Sequence, residues 1–322
     1  MARLAYILAA SHSGSTLLAM LLGAHPEAVT VGELKATNLG ATDRYRCSCG
    51  ALIKECDFWR RVAQEMRARG YPFDITRAKT NILDVDSRYA AQLLRPLHRG
   101  VLLESIRDRA LTLSRVWRKH LEEVQKRNLA LLETLGTLTG ARVVVDSSKL
   151  GLRLKYLLRI PSLDVKVVRL IRDGRGVALT YVNPAEFADT RNEGLRGGGS
   201  GVSTETGREM RRAAREWKRS NEEADALLAG LPRSDWLEVR YEDLCGDPSN
   251  TLRAVCSFLG LDSAQIVLDF RSVEHHVVGN GMRLDSTSDV LLDERWKTFL
   301  SEEQLQLFES VAGDLNRRLG YP

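Results

Sequence analysis

Four short stretches collect the side chains that could bind an anion or move a proton: Ser11-His12-Ser13-Gly14-Ser15-Thr16, Gly32-Glu33, Asp146-Ser147-Ser148-Lys149 and Arg172-Asp173-Gly174-Arg175-Gly176. The first is rich in hydroxyls and opens onto a helix-compatible segment, Thr16 to Leu22. Free backbone N–H groups and the positive end of a helix dipole would draw phosphate or sulfate there. A complete triphosphate loop of the type G-x-x-x-x-G-K-S/T would need Gly at Ala9 and Lys at Ser15. Without that lysine, the β- and γ-phosphates of a triphosphate lose their clamp. Each stretch also has a bland reading. Ser13-Gly14-Ser15-Thr16 could be a simple helix N-cap, Arg172 a surface ion-pair residue, and Glu33 and Lys149 solvated ends of a strand and a helix.

The elements that must position these residues can be read from hydrophobic pattern. Leu4 to Ala10 is a continuous apolar run, as expected of a strand buried on both faces, and Val29 to Val31 is β-branched. Arg142 to Val145, Val165 to Ile171 and Trp236 to Arg240 return to strand character. Leu150 to Arg159 is helical and ends before Pro161, giving a βαβ alternation. This predicts an α/β fold, a three-layer αβα sandwich with a central parallel sheet. In such sheets ligands bind beyond the carboxyl ends of the strands, so the first four strands deliver their polar stretches to one edge. Helical period dominates from about Phe58 to Thr139, in Phe58 to Arg69 and especially Val101 to Leu138. A helical insertion or lid at about 41–140, within a single domain over 1–322, is the expectation. A charged helix near Glu205 to Ala229 and helices around Pro248 to Leu259 and Ser301 to Leu319 complete the chain. Gly194 to Ser203 is the one glycine-rich stretch, a gate or a slack loop.

The 322 residues suffice for a self-sufficient core, and 43% apolar with 28% charged residues excludes fibrous and wholly disordered classes. A net charge of +5 suits an anionic small molecule and is thin for a nucleic-acid binder. Leu4 to Ala10 and Leu17 to Gly23 fall short of a membrane span, and the polar loop after Ala10 interrupts any signal-peptide core. A cytoplasmic location is expected; nothing in the pattern fixes the oligomeric state. Five cysteines argue against a secreted disulfide framework. Cys47, Cys49 and Cys56 form a tight cluster for which zinc, a disulfide or reduced thiols come into question. Three thiols lack an obvious nearby fourth ligand, so reduced thiols and no metal are expected. The His275-His276 pair is read as structural, because sequence neighbours rarely point the same way.

The opening residues, with Ser13-Gly14-Ser15-Thr16-Leu17, His25-Pro26 and Gly32-Glu33, resemble the start of the sulfotransferases that use 3′-phosphoadenylyl sulfate (PAPS), including the bacterial and tyrosylprotein branches. Val167 to Thr180 resembles that family's 3′-phosphate-binding strand and helix. Val239-Arg240-Tyr241-Glu242-Asp243-Leu244, with Pro248 and Phe258-Leu259-Gly260-Leu261, resembles its segment after the last strand. The resemblance implies a P-loop-like fold and sulfuryl transfer from PAPS to a small-molecule hydroxyl or amine, with no metal. It implies that Ser13, Gly14, Ser15 and Thr16 hold the 5′-phosphosulfate, that Arg172 and Thr180 hold the 3′-phosphate, and that Tyr241 lies at the nucleotide. It further implies Glu33 as the catalytic base and Lys149 near the sulfuryl group. Asn280, Gly281 and Arg283 resemble an element that closes over the nucleotide. Two positions depart from the pattern: Thr180 stands where the family usually has Ser, which keeps the hydroxyl, and His12 stands where the cytosolic branch has Lys and the tyrosylprotein branch Arg. An imidazole there could carry the positive charge or donate a hydrogen bond. The rival readings are an ATP-dependent small-molecule kinase and a non-catalytic nucleotide-binding regulator.

Overall fold

The computed structural model describes residues 3–35, 39, 42–94, 100–187 and 209–322. Strand β1 (Arg3–Ala9) runs into helix α1 (Ser15–Gly23), followed by β2 (Ala28–Thr30). Helices α2 (Asp57–Ala68), α3 (Arg88–Leu93), α4 (Val101–Leu113) and α5 (Arg115–Thr139) precede β3 (Val143–Lys149) and α6 (Gly151–Leu157). Then come β4 (Val165–Ile171), α7 (Gly174–Val182), α8 (Pro184–Phe187), α9 (Met210–Leu228) and β5 (Trp236–Arg240). Helices α10 (Tyr241–Gly246), α11 (Pro248–Leu259), α12 (Trp296–Phe299) and α13 (Glu302–Arg318) end the chain.

The five strands form one parallel sheet in the order β2-β3-β1-β4-β5. Side chains alternate across it as a pleat requires. Ala5, Ile7, Val145, Val168 and Leu170 face a core shared with α1 and α11, while Leu4, Tyr6, Leu8, Val144 and Val167 face the core that contains α2 and α5. Covering on both faces explains the continuous apolar run Leu4 to Ala9 of β1 and the apolar-rich β4, whose buried Arg169 is paired with Asp225. The expected three-layer α/β architecture is therefore the one found.

Two boundaries differ from expectation. The helical pattern from Val101 to Leu138 is two helices, because the Ser114 hydroxyl accepts from Trp117 N and starts α5 afresh. Strand β3 does not stop at Val145 but continues through Lys149, with a register shift against β1 between Tyr6 and Leu8. Asp146 to Lys149 are thus buried strand residues rather than a following loop. The Gly194 to Ser203 stretch lies outside the described residues. Among those described, no helix is long and apolar enough to cross a membrane.

Candidate active site

The turn after β1 is tight. His12 and Gly14 take positive φ values of 65° and 89°, and a Cβ at Gly14 would lie 2.5 Å from the Tyr241 ring. Only glycine fits both the backbone and that ring. Gly14 gives α1 no side-chain cap, so the helix begins with its N–H groups uncapped by a side chain. Ser13 is buried, and its hydroxyl has no hydrogen-bond partner among the described residues. An orphaned hydroxyl beside an open helix N-terminus fits an oxyanion better than it fits a finished N-cap. The His12 ring meets Tyr181 edge-on at 4.9 Å.

Arg172, just beyond β4, closes the other side of this turn. It is buried, donates to the His12 carbonyl at 2.9 Å, and stacks over Tyr241 with 4.3 Å to the ring centroid. Its second nitrogen is engaged by Asp293, at 2.9 Å to the carbonyl and 3.1 Å to the carboxylate. Burial opposes ionisation of Asp293, but the hydrogen bond from Arg295 and the charge of Arg172 outweigh it and hold its carboxyl well below the usual range. Thr180 donates to Gly176 O at 3.2 Å within α7, so its hydroxyl satisfies its own helix. Tyr241 begins α10, and its hydroxyl donates to Leu291 O at 3.4 Å.

Glu33 follows β2, and Lys149 ends β3. Lys149 Nζ donates to Glu33 Oε1 at 2.5 Å, and Lys35 Nζ lies 3.3 Å from Oε2. Burial would raise the Glu33 carboxyl, yet Lys149 and then Lys35 outweigh it and bring its pKa down to about 2. Burial pushes the Lys35 ammonium down. Lys149 itself has φ of 70°, a left-handed conformation that a side chain disfavours and the surrounding structure must enforce. Asp146 supplies that support. Its Oδ1 accepts from Ser148 N at 2.9 Å and Leu34 N at 3.3 Å, and its Oδ2 accepts from Arg153 Nε at 3.1 Å. Arg153 in turn donates to Asn128 Oδ1 at 2.6 Å and to Thr80 O at 2.7 Å. Lys35 N donates to Ser148 Oγ at 3.0 Å, which stitches the two post-strand segments together.

The C-terminal element, Gly281 to Leu284, packs against α1 and is tied to the segment around Tyr45. Arg283 is fully buried and donates to the carbonyls of Gly279 (2.6 Å), Asn280 (3.0 Å) and Arg46 (2.7 Å), above the Tyr45 ring. Asn280 accepts from Met282 N at 2.9 Å and caps a short 3-10 turn. These side chains hold a strap, residues 275–284, onto the segment around Tyr45. The strap reaches Glu33 through its backbone, since Glu33 N donates to Val278 O at 3.3 Å and Val278 N to Val31 O at 3.0 Å.

The cysteine expectation needs correcting in its premise. His276 joins Cys47, Cys49 and Cys56, and the four potential ligand atoms lie within 4.8 Å of one another. The paired histidines do point apart, as neighbours in extended chain should. His275 Nε2 donates to Phe270 O at 2.6 Å, while His276 Nδ1 faces the thiols.

Lys35, Arg153 and Asp293 were not singled out from sequence, and Asp146 was named only as part of its stretch, with no role of its own. Lys35 carried a signal, because residues i and i+2 of extended chain share a face and Glu33 is two residues before it. Asp293 and His276 carried none, lying 121 and 220 residues from their partners Arg172 and Cys56.

A parallel sheet whose first strand turns through a glycine into a helix N-terminus with no side-chain cap, with an arginine closing that turn, defines an α/β protein with a P-loop-like turn. The chain belongs to the sulfotransferase family, which its residues 5–265 match. It is 28% identical over 203 residues to human (Homo sapiens) carbohydrate sulfotransferase 2, a match covering 51% of this chain and 36% of that one. It is 25% identical over 198 residues to carbohydrate sulfotransferase 1 of Danio rerio, covering 52% and 41%. The chain thus spans less than half the length of these curated relatives. Its fold is similar to the sulfotransferase domain from the curacin biosynthetic pathway, with a TM-score of 0.53 and 19% identity over 100% of this chain and 99% of that one.

Proposed function

We propose that this chain transfers a sulfuryl group from PAPS to a hydroxyl, or amine, of a small-molecule acceptor. The observation that carries the reading is the Glu33–Lys149 pair, 2.5 Å apart, at the same sheet edge as the orphaned Ser13 hydroxyl and the open N-terminus of α1. PAPS would supply the sulfuryl group and leave as adenosine 3′,5′-bisphosphate. Ser13, Gly14, Ser15 and Thr16 would hold its phosphosulfate, and Arg172, Thr180 and Tyr241 would address the 3′-phosphate side. The acceptor oxygen forms the new S–O bond as the bond to the 5′-phosphate breaks, and the acceptor proton passes to Glu33. Lys149, His12 and the loop amides stabilise the oxygens on which charge collects.

A carboxylate with a pKa near 2 is ionised but weakly basic, a poor match for general-base work at neutral pH. Lys149 offers the remedy. An ammonium drawn from Glu33 toward an incoming sulfuryl group would release the carboxylate from its strongest partner and raise its basicity when an acceptor is to be deprotonated. Donor binding and base activation would then be one event. Charge balance, the carbohydrate sulfotransferase relatives and the open loop support a hydroxyl-bearing acceptor. Five unpaired cysteines support a reducing, cytoplasmic setting. The helices between about 41 and 140 are proposed to frame the acceptor side. The kinase alternative is disfavoured by Ser15, where the triphosphate lysine would stand.

The test is transfer of label from PAPS to a panel of alcohols, phenols, sugars and amines, repeated with Glu33→Gln. Turnover should fall by about 10² to 10⁴, the usual loss for a general base, while PAPS binding by calorimetry stays within a few-fold. Near-normal turnover of Glu33→Gln on an unactivated alcohol would remove Glu33 as the base. Failure of the wild type to bind PAPS in preference to ATP would sink the reading as a whole.

A further inference from the structure

The three thiols and His276 have no part in sulfuryl transfer, yet their geometry is that of a coordination shell. Zinc bonds of about 2.3 Å to sulfur and 2.0–2.1 Å to nitrogen at tetrahedral angles set sulfur pairs about 3.8 Å apart and sulfur–nitrogen pairs about 3.5 Å apart. Cys49 Sγ and Cys56 Sγ are 3.7 Å apart, Cys56 Sγ and His276 Nδ1 3.4 Å, and Cys47 Sγ and His276 Nδ1 3.8 Å. A disulfide would bring two sulfurs to about 2.05 Å, and all five cysteines are free. We propose that Cys47, Cys49, Cys56 and His276 bind one zinc ion in a closed structural site that clamps the 275–279 strap beside Glu33.

The local structure is built for this. Cys47 N donates to Ala51 O at 3.0 Å and Gly50 N to Cys47 O at 2.9 Å, with Gly50 at φ 88°, so the chain folds into a tight knuckle that turns Cys47 and Cys49 to one side. Cys56 is the N-cap residue of α2, where the helix dipole favours a thiolate. The His276 ring is fixed by stacking on Phe58, 4.3 Å away and 4° from parallel. Glu274 lies 3.7 Å from its other nitrogen, on the side where metal-bound histidines commonly meet a carboxylate. Thiolates with one imidazole suit zinc, and four protein ligands leave no open position for chemistry.

The clamp reaches the site in few steps. Ser48, between two of the cysteines, donates to His275 O at 2.6 Å and accepts from Val277 N at 2.7 Å, gripping the strap on both sides of His276. Val278 then pairs with Val31 and Glu33, and a Cβ at Gly279 would lie 3.2 Å from Glu33 Cγ. The link to Glu33 as base rests on the sulfuryl-transfer reading; the metal site does not.

The experiment uses the full chain, expressed with added zinc and purified without chelator. Elemental analysis should give about one zinc per chain after dialysis, and about tenfold less in Cys49→Ala and His276→Asn. Cobalt titration of reduced wild-type apoprotein keeps the test valid if those variants fail to fold. It should give the intense visible absorption of tetrahedral Co(II) with thiolate charge transfer, abolished by one equivalent of zinc. Hydrogen exchange at amides 31–34 and 276–279 should rise at least tenfold on chelation. Less than a tenth of an equivalent of retained zinc, with a pale octahedral cobalt spectrum, overturns the site. Unchanged exchange with full zinc overturns the clamp. Zinc bound without sulfuryl transfer would instead strike the functional reading and leave the site standing.

Discussion

Asp146, Ser148 and Lys149 of β3, backed by Arg153 of α6, lie on the sheet side of Glu33, whereas the strap bearing His276 and Arg283, with the segment around Tyr45 and Ser48 that holds it, forms a side with little regular structure. The sheet side is held by strand hydrogen bonds and a buried ionic network, Asp146–Arg153–Asn128. The strap side is held by carbonyl groups accepting from Arg283, by the Tyr45 hydroxyl on Gly279 N at 2.8 Å, and by the cysteine knuckle. A strand continues its neighbours' pattern and needs few special residues to hold its place. An irregular strap has no ladder to supply its hydrogen bonds, so each peptide group must be met individually by a side chain, a ring or a cross-link.

The largest expected effect tests the sheet side. Asp146→Ala leaves the buried Arg153 guanidinium without its carboxylate, and breaking one partner of a buried pair costs about 3–5 kcal/mol. Urea denaturation should show a loss of that size. Asp146→Ala, Arg153→Met together should recover much of it, because no buried charge is left unpaired. A single substitution costing under about 1 kcal/mol would show that the network is solvated and does not enforce the Lys149 conformation.

That sheet-side network was half legible in the sequence. Strands β1, β4 and β5 could be placed because their apolar runs are bounded by polar turns, and each polar turn then had to lie at one edge. Glu33, Lys149, Arg172 and the Ser13 loop follow from that logic. Lys149 was assigned to a loop because Asp146-Ser147-Ser148 is polar, yet burial in β3 is possible since Asp146 satisfies two backbone N–H groups and a guanidinium at once. Polar residues whose partners lie inside the fold do not announce their burial. The strap was illegible for a stronger reason. Its contacts join residues 45–56 to 275–283, and no local periodicity links segments that far apart. The His275-His276 pair reads as structural because nothing in the sequence links it to the cysteines, and only the fold carries His276 to them.

A smaller effect concerns pH. The Glu33 pKa is near 2 in the folded chain against an ordinary 4.5, so the unfolded chain binds its proton first as pH falls. The group therefore stabilises the fold fully above about pH 4.5, and the contribution fades as pH falls toward 2. Its size is on the order of 3 kcal/mol. The difference in unfolding free energy between wild type and Glu33→Gln, measured from pH 7 downward, should shrink over that window and not above it. A difference independent of pH would mean that Lys149 and Lys35 do not hold the carboxylate as the geometry implies.

The smallest expected effect separates the two lysines. Lys149 contacts Glu33 at 2.5 Å and sits beside Leu8 in the strand pairing, just before the His12 turn begins, whereas Lys35 is 3.3 Å away and tied to the segment after β2. If Lys149 serves both the carboxylate and the donor, Lys149→Met should lose turnover heavily. Lys35→Met removes only a partner that depresses the Glu33 pKa. The carboxylate becomes a somewhat stronger base, so turnover at neutral pH should hold or rise by about 2- to 5-fold, following Brønsted behaviour. The acidic limb of kcat/KM should move to higher pH, because losing a cation lets the folded pKa rise back toward its ordinary value. A tenfold or greater loss of turnover in Lys35→Met, with PAPS affinity reduced in parallel, would place Lys35 rather than Lys149 at the donor. The two sides of Glu33 would then exchange roles, with the segment after β2 carrying the transferred group and β3 only orienting the base.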